Sequence, residues 1–379
     1  MTRLPATILQ DPALQSVFAA IEAGDYRAWL VGGAVRNALL DEPVGDLDLA
    51  TDAPPEAVTR LTGAAGLKPV PTGIDHGTVT VVAGGRGFEV TTLRCDVQTD
   101  GRRAVVAFSD DLAQDARRRD FTINALYADR DGTVIDPLGG LDDLLARRLR
   151  FVGDPAQRIA EDYLRILRFF RFLAWYGREA DPAAVAACRK GRDGLDAISR
   201  ERIGQEVRKL LMARDPLPAI RLMEETGVLA KVLPDASPEQ LAALGTPAPW
   251  LARLAALSQA DLTQSLRLSR TEVRDHRILS TALTEGWSLD RIAYRLKGDL
   301  AEAAALLVQT RTPAPPGAWE AARAAARPLP IGAADLQPHL QGPALGRALK
   351  AAEEAWIDAS FALPAPALID IALLAGETA

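Results

Sequence analysis

The run Leu30-Val31-Gly32-Gly33-Ala34-Val35-Arg36, followed by Gly45-Asp46-Leu47-Asp48-Leu49-Ala50-Thr51, decides how this 379-residue chain is read. Arg27 to Val31 is a short apolar run, two glycines break it, and Ala34 to Leu40 suits a helix. A strand, a glycine turn and a helix in that order aim backbone N–H groups and the positive end of the helix dipole outward. Glycines also let a phosphate approach the main chain, and Arg36, one turn into the helix, carries a planar donor fork suited to phosphate oxygens. Asp46 to Ala50 alternates polar and apolar with period two, which predicts a half-buried strand. Leu47 and Leu49 then face the core while Asp46 and Asp48 stand side by side on the other face. Carboxylates held that close raise each other's pKa, and a hard cation such as Mg²⁺ relieves the repulsion. Alone, Gly-Gly is an ordinary turn and Asp-x-Asp an acidic edge strand. Gly-Gly-x-x-Arg closely followed by Asp-x-Asp is far more specific.

Around this core motif, Thr78 to Val82 and Phe88 to Leu93 read as two strands joined by a Gly84-Gly85 turn. Beyond Leu141 strand signals almost vanish, and Ala, Leu, Arg and Glu at helical spacing take over, punctuated by Pro216, Pro234 and Pro313 to Gly317. The expected architecture is an α/β head followed by an all-helical remainder. With 48% apolar and 25% charged residues the composition is that of a globular protein, which excludes disordered, collagen-like and disulfide-scaffold classes. Cys95 and Cys188 are far apart, as are His76, His276 and His339, so neither a zinc site nor a redox motif is indicated. Met1 to Ala6 lacks the apolar core of a signal peptide and no stretch is apolar enough for a membrane span, so the chain reads as cytoplasmic with no membrane partner.

The net charge of −6 conceals a split. Arg147 to Arg214 holds 16 Lys/Arg against 9 Asp/Glu, whereas the rest of the chain holds 28 against 41. The split points either to a local polyanion site or to helices with solvated arginines. Within that segment, a helix over Glu161 to Leu173 would gather Ile166, Phe169, Phe170 and Leu173 on one face and Arg165, Arg168 and Arg171 on the opposite arc, with Asp162 one turn before Arg165.

The motif at Leu30 to Arg36 and the one at Gly45 to Thr51 resemble the signature of class II nucleotidyltransferases, the family of CCA-adding tRNA nucleotidyltransferases and bacterial poly(A) polymerases. The resemblance continues through Asp120-Phe121-Thr122-Ile123-Asn124-Ala125-Leu126, Asp136-Pro137-Leu138-Gly139-Gly140, Gly153-Asp154-Pro155 and Glu161-Asp162-Tyr163-Leu164-Arg165. It covers roughly residues 25 to 215, with the motifs in the family's order. One departure is Asn37, where the family usually has Asp, and an amide there is expected to hold Arg36 less firmly.

The resemblance implies a nucleotidyltransferase head with a polymerase-β-like mixed sheet at 1–140, a helical neck at 141–215 that reads the base, and a helical body and tail at 216–379 that hold tRNA. It implies that Asp46 and Asp48 bind two Mg²⁺ ions for in-line displacement at an α-phosphate, with Glu89 as the candidate third carboxylate; a solvent-facing strand residue is the other reading of Glu89. Gly32, Gly33, Arg36 and Arg119 match triphosphate positions, Asn124 a ribose or phosphate contact, and Arg168 and Arg171 further nucleotide positions. Asp162 and Arg165 match the base readers. An Asp accepts from an exocyclic amine and an Arg donates to the adjacent ring nitrogen, an edge that cytosine and adenine share and that uracil and guanine lack. The implied activity is addition of C, C and A from CTP and ATP to the 3′ end of tRNA, at its acceptor stem. Asp100-Gly101-Arg102-Arg103 is similar to a loop that relatives adding only CC are said to lack, which favours complete CCA addition. Poly(A) addition, a catalytically silent RNA-binding relative and a small-molecule adenylyltransferase are the alternatives. The last needs neither the basic segment nor the long helical body, and the intact Asp46, Asp48, Asp162 and Arg165 argue against a silent relative. Arg274-Asp275-His276 lacks the further histidines that a fused metal-dependent phosphohydrolase would need.

Overall fold

A computed structural model describes residues 2–74, 77–100 and 103–377. Met1, His76, and Gly101 and Arg102 of the loop noted above lie outside the described residues. The chain divides into two compact units, Met1–Val232 and Leu233–Ala379.

The first unit is built on a seven-stranded mixed sheet. Its strands are β1 (Ala28–Val31), β2 (Leu49–Thr51), β3 (Lys68–Gly73), β4 (Thr78–Ala83), β5 (Arg86–Thr92), β8 (Tyr127–Ala128) and β9 (Val134–Ile135), in the order β3-β4-β5-β2-β1-β8-β9. Within this sheet, among the described residues, β2 and β5 pair in parallel, Leu49 opposite Val90, while the other neighbours are antiparallel. Between them β6 (Arg94–Asp100) and β7 (Arg103–Phe108) form a separate antiparallel hairpin. Gly84 (φ 58°) and Gly85 (φ 78°) both take left-handed backbone, which is what a two-residue hairpin turn between right-twisted strands requires. The expected strand pair of the head is therefore present with its turn.

Two local expectations differ from the structure. Regular pairing in β2 starts at Leu49, not Asp46, because the partner β5 is engaged only from Leu49 onward. Asp46 to Asp48 is a lead-in fixed at one point, where the Val31 N–H donates to the Asp48 carbonyl at 3.0 Å. The in-out alternation still holds, since Leu47 and Leu49 are buried while Asp46 is exposed and Asp48 half-buried. Secondly, the helix expected over Glu161 to Leu173 is two helices, Pro155–Glu161 and Leu164–Tyr176. Asp162 (φ −156°, ψ 104°) is extended, and its Oδ1 accepts the Leu164 N–H at 3.1 Å. A short acceptor side chain that can satisfy an orphan N–H favours such a boundary over a helix interior.

Apart from the sheet, the β6–β7 hairpin and a two-residue parallel pair, β10 (Arg148–Leu149) and β11 (Glu179–Ala180), the regular structure of the first unit among the described residues is helical. The helix Leu164–Tyr176 turns Ile166, Phe169, Phe170 and Leu173 inward, as the spacing predicts. Phe121, at the turn after Asp120, packs among Phe151 (ring centroids 4.9 Å), Phe172 (5.2 Å) and Phe169 (6.2 Å). This aromatic cluster ties the sheet-bearing part of the unit to its first long helix. The second unit is all helix among the described residues. Its longest elements are Arg270–Thr284 and Gly342–Asp358, and Trp356, Ile357 and Phe361 lie within its buried core. No helix among the described residues is long and apolar enough to cross a membrane.

Candidate active site

The parallel pairing of β2 with β5 creates the site. Because Leu49 sits opposite Val90 and both are buried, the preceding residues Asp48 and Glu89 fall next to each other on the opposite face. They line a cleft of about 190 Å³ with Arg94, Asp115, Arg118 and Arg119. The Asp48 carboxyl is pushed above the usual carboxylate range, first by burial, then by the charges of Glu89 and Asp46, with Arg119 opposing. The three carboxylates thus share one electrostatic neighbourhood, and like charges crowded in this way fit a divalent cation. Among the described residues no three His, Cys, Asp or Glu side chains are already gathered around a single metal position. Carboxylate oxygens are hard donors of the kind that divalent cations such as those of nucleotidyltransferases take, so the residues present fit such an ion.

Arg119 is fixed from below. Its Nε and Nη2 donate to Asp115 Oδ2 at 3.2 and 2.9 Å, and Nε also donates to the Tyr127 hydroxyl at 3.0 Å. Tyr127 in turn donates to Asp115 Oδ2 at 2.7 Å. Burial works to lower the Arg119 pKa, but Tyr127 and Asp115 outweigh it and raise it, so the guanidinium stays charged at the edge of the cleft. Gly32 (φ 63°) lies against it: a Cβ there would sit 3.4 Å from Arg119 Nη1. Left-handed backbone and that close neighbour together favour glycine.

Arg36 does not line this cleft. It is 6% exposed, its Nε and Nη2 donate to Asn37 Oδ1 at 3.1 and 2.9 Å, and its Nη1 donates to Asn124 Oδ1. Asn37 therefore grips Arg36 with two hydrogen bonds to one amide oxygen, so the departure from Asp costs the charge but not the contact. Asn124 is buried and donates from Nδ2 to Asp120 Oδ1 at 2.9 Å.

The arginine arc of the neck is not a solvated face. Arg165 pairs with Glu161 and donates to the Arg158 carbonyl at 2.7 Å; Arg168 donates from Nε to Asp120 Oδ2 at 2.9 Å; Arg171 donates from Nε to Glu206 Oε2 at 2.6 Å. Asp162 does not pair with Arg165, whose side chain is held by Glu161. Its Oδ2 accepts instead from Arg202 Nη2 at 2.7 Å. Burial alone would raise the Asp120 carboxyl, but Arg168, the Asn124 amide and the Phe121 N–H bring it down to about 2.

Sequence reasoning missed Asp115, Asp120, Tyr127, Arg202 and Glu206 as members of the site. Asp115 was findable, since it stands four residues before Arg119, in the last turn of the short helix Leu112–Arg117 that Arg119 follows. Arg202 is 40 residues from Asp162, and no local pattern marks it.

A mixed sheet carrying crowded carboxylates beside a glycine turn and a fixed arginine defines the polymerase-β-like nucleotidyltransferase class. Residues 28–150 match the family model for the poly(A) polymerase head domain, and residues 179–240 the model for the probable RNA- and SrmB-binding site of polymerase A. The CCA-adding enzyme of Bacillus stearothermophilus, solved in complex with CTP, is 30% identical with a TM-score of 0.72, and the match covers 92% of each chain. The chain belongs to the class II nucleotidyltransferase family of CCA-adding enzymes and bacterial poly(A) polymerases. The mitochondrial CCA tRNA nucleotidyltransferase 1 of Danio rerio is 42% identical over 271 residues, covering 66% of this chain and 62% of that protein. The CCA-adding enzyme of Leuconostoc citreum is 43% identical over 216 residues, covering 56% and 52%. The chain thus matches between half and two thirds of the length of these curated relatives. The Thermotoga maritima CCA-adding enzyme, at 18% identity and a TM-score of 0.69, shares the fold.

Proposed function

We propose that this protein adds C, C and A, from CTP and ATP, to the 3′ end of tRNA without a nucleic-acid template. The observation that carries the reading is the cleft in which Asp48 and Glu89 are brought together by the β2–β5 register, with Arg94, Arg118 and Arg119 facing them. In the reaction the RNA 3′-hydroxyl oxygen attacks the α-phosphate of the incoming nucleotide and pyrophosphate leaves. Asp46 and Asp48, with Glu89 as a third carboxylate, would hold two Mg²⁺ ions, which when bound lower the pKa of the hydroxyl and neutralise charge on the phosphates. Arg119, pinned by Asp115 and Tyr127, presents its outer N–H groups to the triphosphate beside the Gly32-Gly33 turn, at no reorganisation cost when the nucleotide arrives.

Asp162 and Arg165 read the base in this proposal, with Arg202 orienting Asp162 and Glu161 orienting Arg165. Arg168 and Arg171 complete the nucleotide side of the neck. Head (1–140) and neck (141–215) lie within the first compact unit, and the body and tail (216–379) take the acceptor stem by shape and phosphate contact. CCA rather than poly(A) addition is supported by relatives, each at about 40% identity, that are CCA-adding enzymes.

The test is product sizing at single-nucleotide resolution on tRNA lacking its 3′ end, with Mg²⁺ and CTP alone, ATP alone, then both. Two additions with CTP and three with both are expected. A long ladder with ATP alone would make the chain a poly(A) polymerase on the same scaffold, and no extension with tRNA still bound would leave the silent RNA-binding reading.

A further inference from the structure

We propose that Arg36 is a positioning residue that locks the glycine-turn helix Gly33–Leu39 to the neck helix Leu164–Tyr176, and that the ring faces of Tyr176 and Phe172 hold it there. The proposal rests on the nucleotidyl-transfer reading above. It changes the part expected of Arg36, from a phosphate ligand to a clamp between two working parts of the unit.

The guanidinium is enclosed on every side. Its Cζ lies 3.9 Å from the centroid of the Tyr176 ring and 5.2 Å from that of Phe172. Its edges are taken by Asn37 and Asn124. Through Asn124 it reaches Asp120, and through Asp120 it reaches Arg168 on the neck helix. The glycine-turn helix is therefore attached to the neck helix at two levels: directly at Phe172 and Tyr176, and indirectly at Arg168. Arg171 lies 4.1 Å from the Phe172 ring centroid but is neutralised by Glu206. Burial lowers the Arg36 pKa, while Tyr176 and Asp120 oppose the shift.

The clamp and Arg165 share one rigid element, and Asp162 caps the break just before it. The neck helix starts two residues after Asp162, carries Arg165 in its first turn and ends at Tyr176. Loosening the Tyr176 end tilts the Asp162–Arg165 end relative to the head, so base choice and the rate of transfer suffer together while triphosphate binding is spared. A phosphate ligand would behave in the opposite way. The geometry makes that contrast worth measuring, because a Cβ on Gly33 would lie only 3.6 Å from Arg36 Nη2, which places the guanidinium edge near the turn.

The experiment uses the full chain with Mg²⁺ and tRNA lacking its 3′ end, and compares Tyr176→Leu, Tyr176→Phe and Arg36→Lys. It reads kcat and KM for CTP, the incorporation of UTP relative to CTP, and inhibition by inorganic tripolyphosphate. Tyr176→Leu and Arg36→Lys are expected to lower kcat about tenfold, the order expected for loss of a desolvated cation–π contact. They should also raise relative UTP use about fivefold while tripolyphosphate inhibition stays within about twofold of the parent, because the phosphate site is untouched. Tyr176→Phe keeps the ring face but loses the hydroxyl that hydrogen-bonds the guanidinium, so its kcat and base choice should fall between those of the parent and of Tyr176→Leu. Arg36→Lys weakening tripolyphosphate about tenfold, with Tyr176→Leu unaffected, would overturn the clamp in favour of a direct phosphate contact. Parental kcat and base choice in Tyr176→Leu would overturn it as well. If Tyr176→Leu does not fold, Arg36→Lys carries the same comparison. If the parent protein itself transfers no nucleotide, the functional reading fails, and the clamp is judged by hydrogen exchange of the Gly33–Leu39 amides. Faster exchange in Tyr176→Leu supports it; unchanged exchange overturns it.

Discussion

Replacing Asp120 with Asn removes one charge from the centre of the first unit while keeping the side-chain shape. Oδ1 accepts from Asn124 Nδ2 and from the Phe121 N–H, both at 2.9 Å, and Oδ2 accepts from Arg168 Nε and Nη2. An amide keeps the first oxygen but sets an NH₂ group against the guanidinium. The carboxyl falls from an ordinary 3.8 to about 2 on folding. That difference corresponds to about 2 kcal/mol of stabilisation at neutral pH. The folded-state pKa lies below the unfolded one, so the stabilisation is present above about pH 4 and is lost as the pH falls through about 2. Asp120→Asn should therefore cost about 2 kcal/mol at neutral pH, narrowing to about half that near pH 3, where the unfolded parent is already largely protonated while the folded one is still ionised. Denaturant-dependent hydrogen exchange of the Leu164–Tyr176 amides reads the local free energy in this unit without assuming that both units unfold together. A cost under about 0.5 kcal/mol at neutral pH, within the noise of a surface substitution, would refute the argument. So would a cost independent of pH, which would mean that packing rather than charge holds Asp120.

Asp48→Asn should abolish nucleotide transfer, on the order of 10³-fold or more, with RNA affinity nearly unchanged in a filter-binding assay; retained turnover would remove Asp48 from the chemistry. Asp162→Ala should relax base choice more than it slows transfer, and competition between UTP and CTP reads this directly. If UTP incorporation does not rise, Asp162 does not read the base. Gly140→Ala places a Cβ 2.2 Å from the Thr122 carbonyl oxygen, which is backbone and cannot step aside. A loss of about 1–3 kcal/mol is expected as a lowered thermal midpoint. Gly346→Ala, in a helix interior with nothing within 4 Å of the new Cβ, should instead stabilise by about 0.5–1 kcal/mol.

What the sequence determined by itself is local in character. Glycines at a strand-to-helix turn, the alternation of Asp46 and Asp48 with Leu47 and Leu49, the Gly84-Gly85 hairpin and the apolar face at Ile166, Phe169, Phe170 and Leu173 follow from periods of two and 3.6 residues and from backbone conformations that glycine favours. The order of the motifs was enough to reach the family. Which charge meets which was decided only by the tertiary structure. Arg168 finds Asp120 from 48 residues away, Arg171 finds Glu206 from 35, Asp162 is taken by Arg202 rather than Arg165, and Arg36 reaches Asn124 across 88 residues while stacking on Tyr176. The physical reason is that periodicity fixes the face a side chain occupies, whereas its partner depends on how faces from distant segments pack. A buried guanidinium must be matched wherever the packed interior supplies an acceptor or a ring face. Of an arginine arc that the sequence left open between a polyanion site and a solvated face, Arg168 becomes a strut from the neck helix to Asp120 of the head, Arg171 ties that helix to Glu206 of the helix Arg200–Leu211, and Arg165 is held by Glu161.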